Sequence, residues 1–389
     1  MAAESAKEFE ALEAQATTLL DLFKRAGYEQ VAPSILQPAD VFLDRIGEQV
    51  RSLTYMFTDL AGDELCLRPD LTVPVSRLYL ERHPRAETAA RYCYNGPAFR
   101  FQPHRPRSQR EFRQAGVECF GIADRDKADT EIVLLAVEAV RRAGLKRFSL
   151  RFGDIALFYA LVDALGLPER WRFKLRYYFW RPPAFHALLG QLARGERANG
   201  NGAASALAAT LAGKTQSEAE ELVAAHLDAQ GLPLAGNRSL VEIAARLLDH
   251  AADLRAEPLP KEVATVIDYY LAVSGPPKEA IERVGMIAKG AGVDLGPALD
   301  AIVRRFARLE ESGVGLGSAV FATEFGRDLE YYSGLVFQIE AAGAENGEQV
   351  AGGGRYDGLL EALGAPRPVP AVGAAVHTER LLAAVQGGA

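Results

Sequence analysis

The chain has 389 residues, of which 49% are hydrophobic and 24% charged, with 36 Gly and 20 Pro. This composition excludes a disordered chain and a collagen-like polymer, and the length suits two or three domains with cores that need no disulfide staples. A formal charge of −7, from 44 basic and 51 acidic residues, argues against a generally basic nucleic-acid binder and leaves room only for a local basic patch.

The first element reads as a helix. Leu12, Ala16, Leu19, Leu20 and Phe23 recur at helical spacing, and Gly27 stands where a C-terminal cap belongs. YEQVAPSIL (28–36) reads as a strand with a proline suited to an edge or interface. YMFTDLAGDELCL (55–67) reads as a hairpin around Ala-Gly-Asp, and 73–83 as a helix with Pro74 in its first turn. Strand signals flank an arginine-rich centre over 91–121, followed by a helix at 126–143 with Ile132, Leu135, Ala136 and Ala139 on one face. The strand FSLRFG ends at Asp154, a candidate cap for a helix carrying Leu157, Leu161 and Leu165. From about 170 to 312 the sequence turns to Ala/Leu/Glu/Arg-rich helical segments. Strand patterns return at 319–340, 348–355 and 369–376, before a last helix. The expectation is an α+β fold, residues 1–168 and 313–389, split by a mainly helical insertion over 169–312.

Cys66, Cys93 and Cys119 are too few and too scattered for a disulfide framework, and no Cys-x-x-Cys or His cluster points to a metal. The acidic N-terminal segment lacks an apolar signal core, and no apolar run is long enough to span a bilayer. A cytoplasmic setting is expected.

Four segments carry candidate chemistry. In LCLRPDLTVPV (65–75) a strand would deliver Arg68, Asp70 and Thr72 to one face, a carboxylate and hydroxyl suited to an ammonium or imidazole. An ordinary helix cap explains the same residues. AFRFQPHRPRSQREFRQAGVECFG (98–121) brings Arg100, Arg105, Arg107, Arg110 and Arg113 to a loop that could hold a polyphosphate or simply be a solvated basic hairpin. In the same segment Gln114 and Glu118 share one face of an apolar strand, which is unusual for a carboxylate without a partner unless the strand is an exposed edge. EFGRDLEYYSGLVFQIE (324–340) offers Arg327, Tyr331 and Tyr332, although paired tyrosines are also common core residues. VAGGGRYDGLL (350–360) allows close backbone approach but is no P-loop.

In this order the segments resemble the catalytic domain of histidyl-tRNA synthetase, a class II aminoacyl-tRNA synthetase. FRFQPHRPRSQREFRQAGVE resembles motif 2, GRDLEYYSGLVF and AGGGRYDGL the two histidine-specific motifs, and VPAVGAAVHTERLL motif 3. The motif 1 proline is best matched by Pro33, one residue out of register. The resemblance covers almost the whole chain apart from the helical insertion. It implies a class II synthetase-like antiparallel sheet flanked by helices, and a homodimer core. It also implies histidine contacts at Asp70 (replacing Glu), Thr72, Gln114, Glu118, Tyr331 and Tyr332, with Arg327 toward the substrate carboxylate.

The departures from the synthetase pattern are specific. Gln102 stands where motif 2 has Glu, and Ser108 where its loop has an arginine. Motif 3, Gly-Phe-Gly-Ile-Gly-Leu-Glu-Arg in the family, reads Gly373-Ala374-Ala375-Val376-His377-Thr378-Glu379-Arg380 here. Arg100, Arg110 and Arg380 remain as vestigial nucleotide- or phosphate-binding positions. The sequence stops nine residues after Arg380, where the synthetase continues with an anticodon-binding domain. A retained amino-acid pocket with an altered nucleotide side resembles the regulatory subunits of ATP phosphoribosyltransferase. That resemblance implies a non-catalytic protein without cofactor, metal, membrane or tRNA. It implies L-histidine as effector and a short-form catalytic subunit as partner in a hetero-oligomer. The alternative is a histidyl-tRNA synthetase or another histidine-adenylating relative.

Overall fold

The computed structural model describes residues 5–43, 53–101, 110–194, 202–231, 239–255, 259–326, 331–342 and 349–388. The chain divides into two compact units, residues 1–168 with 269–389, and residues 169–268.

The strands of the first unit are β1 (Glu29–Gln30), β2 (Leu36–Pro38), β3 (Tyr55–Thr58), β4 (Glu64–Leu67), β5 (Ala90–Phe99), β6 (Glu111–Phe120), β7 (Phe148–Asp154), β8 (Ser274–Gly275), β9 (Val320–Ala322), β10 (Leu335–Ala341), β11 (Gln349–Arg355) and β12 (Ala371–His377). Nine form one sheet in the order β1-β5-β6-β12-β11-β10-β7-β9-β8. Its long central pairs are antiparallel, and only β1–β5 and β7–β9 run parallel. The helices Ala6–Arg25 and Arg125–Arg142 lie against this sheet and against each other. The first buries Leu12, Ala16, Leu19 and Phe23, and Gly27 follows it with φ +88°, a left-handed conformation that favours glycine. Asp154 caps the helix Ile155–Ala164 by accepting from Leu157 N at 3.1 Å.

Residues 28–36, expected as one strand, form β1 and then the start of β2 in a separate three-stranded sheet. Between them the buried Arg68 guanidinium donates to the carbonyls of Pro33 (2.6 Å) and Ser34 (3.4 Å), replacing a strand partner there. The 55–67 hairpin forms as β3 and β4. Asp59 Oδ1 accepts from Ala61 N (2.8 Å) and Asp63 N (2.9 Å) in its turn.

The second unit is helical. Leu211, Ala219, Val223 and Ala244 form one buried cluster in it, with Leu227, Leu240, Ile243, Leu247 and Leu248 packed against it. Capping boxes at Thr215/Glu218 and Ser239/Glu242 start two of its helices. This unit ends at Asp268, short of the expected boundary at 312. The helices Pro277–Gly290 and Gly296–Glu311 belong to the first unit, where they pack on β9 and on the helices at 125–142 and 155–164. Their amphipathic composition resembles that of the preceding helices, so periodicity alone did not separate covering helices from inserted ones.

Candidate functional site

The site is built around β6, which lies between β5 and β12 and is not an edge. Register aligns Gln114 with Gly96 and His377, Gly116 with Tyr94 and Ala375, and Glu118 with Tyr92 and Gly373, so these residues share one face. Glu118 is 1% exposed. It accepts hydrogen bonds from Thr72 Oγ1 (2.7 Å), from the Tyr94 hydroxyl (3.0 Å) and from the Tyr356 hydroxyl. Burial pushes its carboxyl up to about 7, against the lowering effect of those hydroxyls, and the nearby Asp70 charge adds to the rise. Gly373 is required beside it: a Cβ there would stand 1.6 Å from Glu118 Oε2. A Cβ on Gly116 would meet the Tyr94 hydroxyl at 2.5 Å.

Arg68, Asp70 and Thr72 do not alternate along a strand. β4 ends at Leu67, and Thr72 opens the helix Thr72–Arg82. Arg68 turns to backbone carbonyls, including Pro97 O at 2.7 Å. Asp70 Oδ1 accepts from Val73 N at 3.2 Å, the cap that the sequence allowed, while its buried Oδ2 has no hydrogen-bond partner. Burial raises the Asp70 pKa, opposed by the Val73 N–H and by the Arg100 and Arg68 charges. Gln114 is likewise buried, with Oε1 unpartnered. Tyr331 and Tyr332 pack with ring centroids 4.9 Å apart, and Tyr331 meets Tyr356 edge-on at 5.7 Å. Asp70, Thr72, Glu118 and Tyr331 are neighbours by hydrogen bond or charge, and Tyr332 joins them through Tyr331. Arg327 lies outside the described residues, as do Gln102, Arg105, Arg107 and Ser108.

Of the three arginines expected on a nucleotide side, Arg100 and Arg110 face each other just beyond the ends of β5 and β6, where Arg100 N donates to Arg110 O at 2.8 Å, and Arg380 lies on the helix Thr378–Gln386. Arg100 donates through Nε to Pro69 O (2.9 Å) and lies over the Phe112 ring. Arg110 lies over Phe101, and Arg380 donates to Gln349 O at the start of β11. His377 is buried, its ring 5.4 Å from Phe112. Two site residues escaped the sequence reading, Tyr94 and Tyr356. Tyr356 lies inside the Gly-rich segment already singled out, and only the strand register brings its hydroxyl to Glu118. An apolar cavity of about 500 Å³ is lined elsewhere, by Pro277, Ile281, Val303, Phe306 and Leu316 among others. Among the described residues no group of three or more His, Cys, Asp or Glu could hold a metal ion, and no helix is long and apolar enough to cross a membrane.

Known proteins share this fold. The histidyl-tRNA synthetase family profile matches residues 4–381. A crystal structure from Bacillus halodurans, described as ATP phosphoribosyltransferase regulatory subunit/histidyl-tRNA synthetase, aligns with TM-score 0.65 and 21% identity. The alignment covers 99% of this chain and 82% of that one. The histidyl-tRNA synthetase of a Nostoc species aligns with TM-score 0.61 and 14% identity, over 98% of this chain and 72% of that one. Fold and profile therefore define a class II, histidyl-tRNA synthetase-like protein. The ATP phosphoribosyltransferase regulatory subunit of Mesorhizobium japonicum is 36% identical over 371 residues, 94% of this chain and 96% of that protein. The one from Agrobacterium fabrum is 36% identical over 370 residues, 94% and 95% of the two chains. Within the synthetase-like class, the chain belongs to the family of ATP phosphoribosyltransferase regulatory subunits.

Proposed function

We propose that this protein senses L-histidine for a short-form ATP phosphoribosyltransferase catalytic subunit, activating it in the first step of histidine biosynthesis and relaying feedback inhibition. The observation that carries the reading is the pair of buried acceptors without donors, Asp70 Oδ2 and Gln114 Oε1, on the side of the site where Glu118 sits. Buried polar atoms of this kind call for a partner, and an ammonium group supplies the N–H donors they lack. The histidine ammonium would face Asp70, Thr72 and Gln114. Its imidazole would sit by Glu118 and the tyrosines, and its carboxylate would face Arg327. A homodimer core within a hetero-oligomer in the cytoplasm completes the reading.

Ala375 and His377 support a sensor over an adenylating enzyme. They stand where motif 3 of the synthetase carries glycines, and His377 packs on Phe112. The effector can act only by binding two quaternary states unequally, a coupling of about 1–3 kcal/mol in typical cases. Calorimetric titration of L-histidine into the protein is the test. Binding that is weakened in Asp70→Ala and Glu118→Ala is expected; undiminished binding in both would place the effector elsewhere.

A further inference from the structure

On the face of the sheet opposite Glu118, a buried set of charges joins two helices to the end of β11. Asp129, on the helix 125–142, is 0% exposed and Arg355 is 3% exposed. Arg355 Nη2 and Nε lie 2.6 and 2.8 Å from Asp129 Oδ1, and its Nη1 lies 2.7 Å from Asp357 Oδ1. Arg305, on the helix 296–311, reaches Asp129 Oδ2 through Nε at 3.0 Å, an ion contact without hydrogen-bond alignment. Its Nη1 donates to Asp154 Oδ2 at 3.1 Å, and Asp126 Oδ1 is 3.0 Å from its Nε.

Burying so many charges is costly, and apolar residues would fill the space at least as stably. What distinguishes this set is where Arg355 sits. The next residue is Tyr356, whose hydroxyl donates to Glu118. Successive strand residues point to opposite faces, so one backbone step links the ion pairs to the pocket. The Arg355 carbonyl accepts from Ser333 N (2.7 Å), and Asp357 N donates to Ser333 Oγ (2.9 Å). Gly334 lies on the Arg355 side chain, where a Cβ would be 3.2 Å from Cδ. The segment carrying Tyr331 and Tyr332 is thus latched to the same corner as Tyr356.

We propose that Asp129 and Arg305, neither of which faces the pocket, are positioning residues for it: the bridge Arg305–Asp129–Arg355 fixes the corner that aims Tyr356 at Glu118 and seats the 331–334 segment. The consequence for ligand binding rests on the histidine pocket proposed above. The positioning itself does not.

The experiment compares Arg305→Met, Arg305→Lys and Asp129→Asn with the parent protein in two readouts. The first is hydrogen exchange at Ser333 N–H and Tyr356 N–H in the unliganded chain, with the helix Gln216–Ala229 as internal control. The second is calorimetric titration of L-histidine. Expected is faster exchange at both amides in Arg305→Met and Asp129→Asn, on the order of tenfold, as for residues in one ion-pair network. Protection should be retained in Arg305→Lys and exchange unchanged in 216–229. Histidine affinity should fall in parallel with the lost protection. Unchanged exchange at Ser333 and Tyr356 in both Arg305→Met and Asp129→Asn overturns the proposal. So does an equal loss in Arg305→Lys and Arg305→Met. A parent protein that binds no histidine, with the exchange pattern as expected, refutes the pocket reading and upholds the positioning role.

Discussion

Asp70 shows how one residue can satisfy a structural and a functional reading at once. Its Oδ1 caps a helix, as a sequence with Asp two residues before a helical Thr suggests, while its Oδ2 is left without a partner. Asp70→Ala removes a cap contact worth about 0.5–2 kcal/mol but also removes a desolvated carboxylate. A small change in melting temperature is expected, alongside a loss of histidine affinity of about 10- to 100-fold, the usual weight of a charge-assisted hydrogen bond. A large fall in stability with unchanged affinity would contradict this assignment. Glu118 gives a pH signature. Its carboxyl ordinarily titrates near 4.5 and is held at about 7 by burial. Between those values the folded chain keeps a proton that the unfolded chain has released. Its contribution to stability is therefore full below about 4.5, lost as pH rises toward 7, and flat above. Denaturant unfolding from pH 4 to 8 should show the stability of the parent falling relative to Glu118→Gln across that window. A pH-independent difference would contradict the buried, protonated carboxyl. Glu118 and Gln114 were legible in the sequence because a carboxylate in an apolar strand needs a reason. Tyr94 and Tyr356 were not, since a tyrosine among apolar residues is ordinarily core and its hydroxyl partner lies on another strand.

At the scale of elements, helices and the β3–β4 hairpin followed from local signals: spacing, caps and an Asp-led turn. The β1–β2 break did not, because its cause is Arg68, 35 residues beyond Pro33 in the chain. Glycines in motif-like segments were visible, but the reason for each depends on what faces it across the sheet. Gly373 is the clearest case, since β12 must approach Glu118 closely. Gly373→Ala should cost about 1–3 kcal/mol through overpacking and abolish histidine binding. Gly358→Ala, where a Cβ meets nothing within 4 Å, should leave both unchanged. Equal behaviour of the two variants in thermal melts and titrations would show that the close approach at Gly373 is not needed.

At the scale of the whole molecule, the α+β class and the order of the synthetase-like segments could be read from the sequence, whereas the extent of the helical unit could not. Helices 277–290 and 296–311 carry the same kind of apolar stripe as those before them, and only tertiary packing assigns them to the first unit. The same argument applies to the ion bridge behind β11. Asp129, Arg305 and Arg355 are far apart in sequence, each unremarkable alone, and meet only because the sheet and two helices bring them together. The proposed function is likewise a property of an assembly, since a regulatory subunit acts on another chain. The most direct measurement is phosphoribosyl transfer by the short catalytic subunit from the same organism, assayed with and without this protein and across histidine concentrations. The expected result is a rate that rises when the protein is added and falls again with histidine, with the fall, but not the rise, lost in Asp70→Ala. A catalytic subunit indifferent to this protein, together with histidine-dependent exchange of pyrophosphate into ATP by the protein alone, would contradict the account.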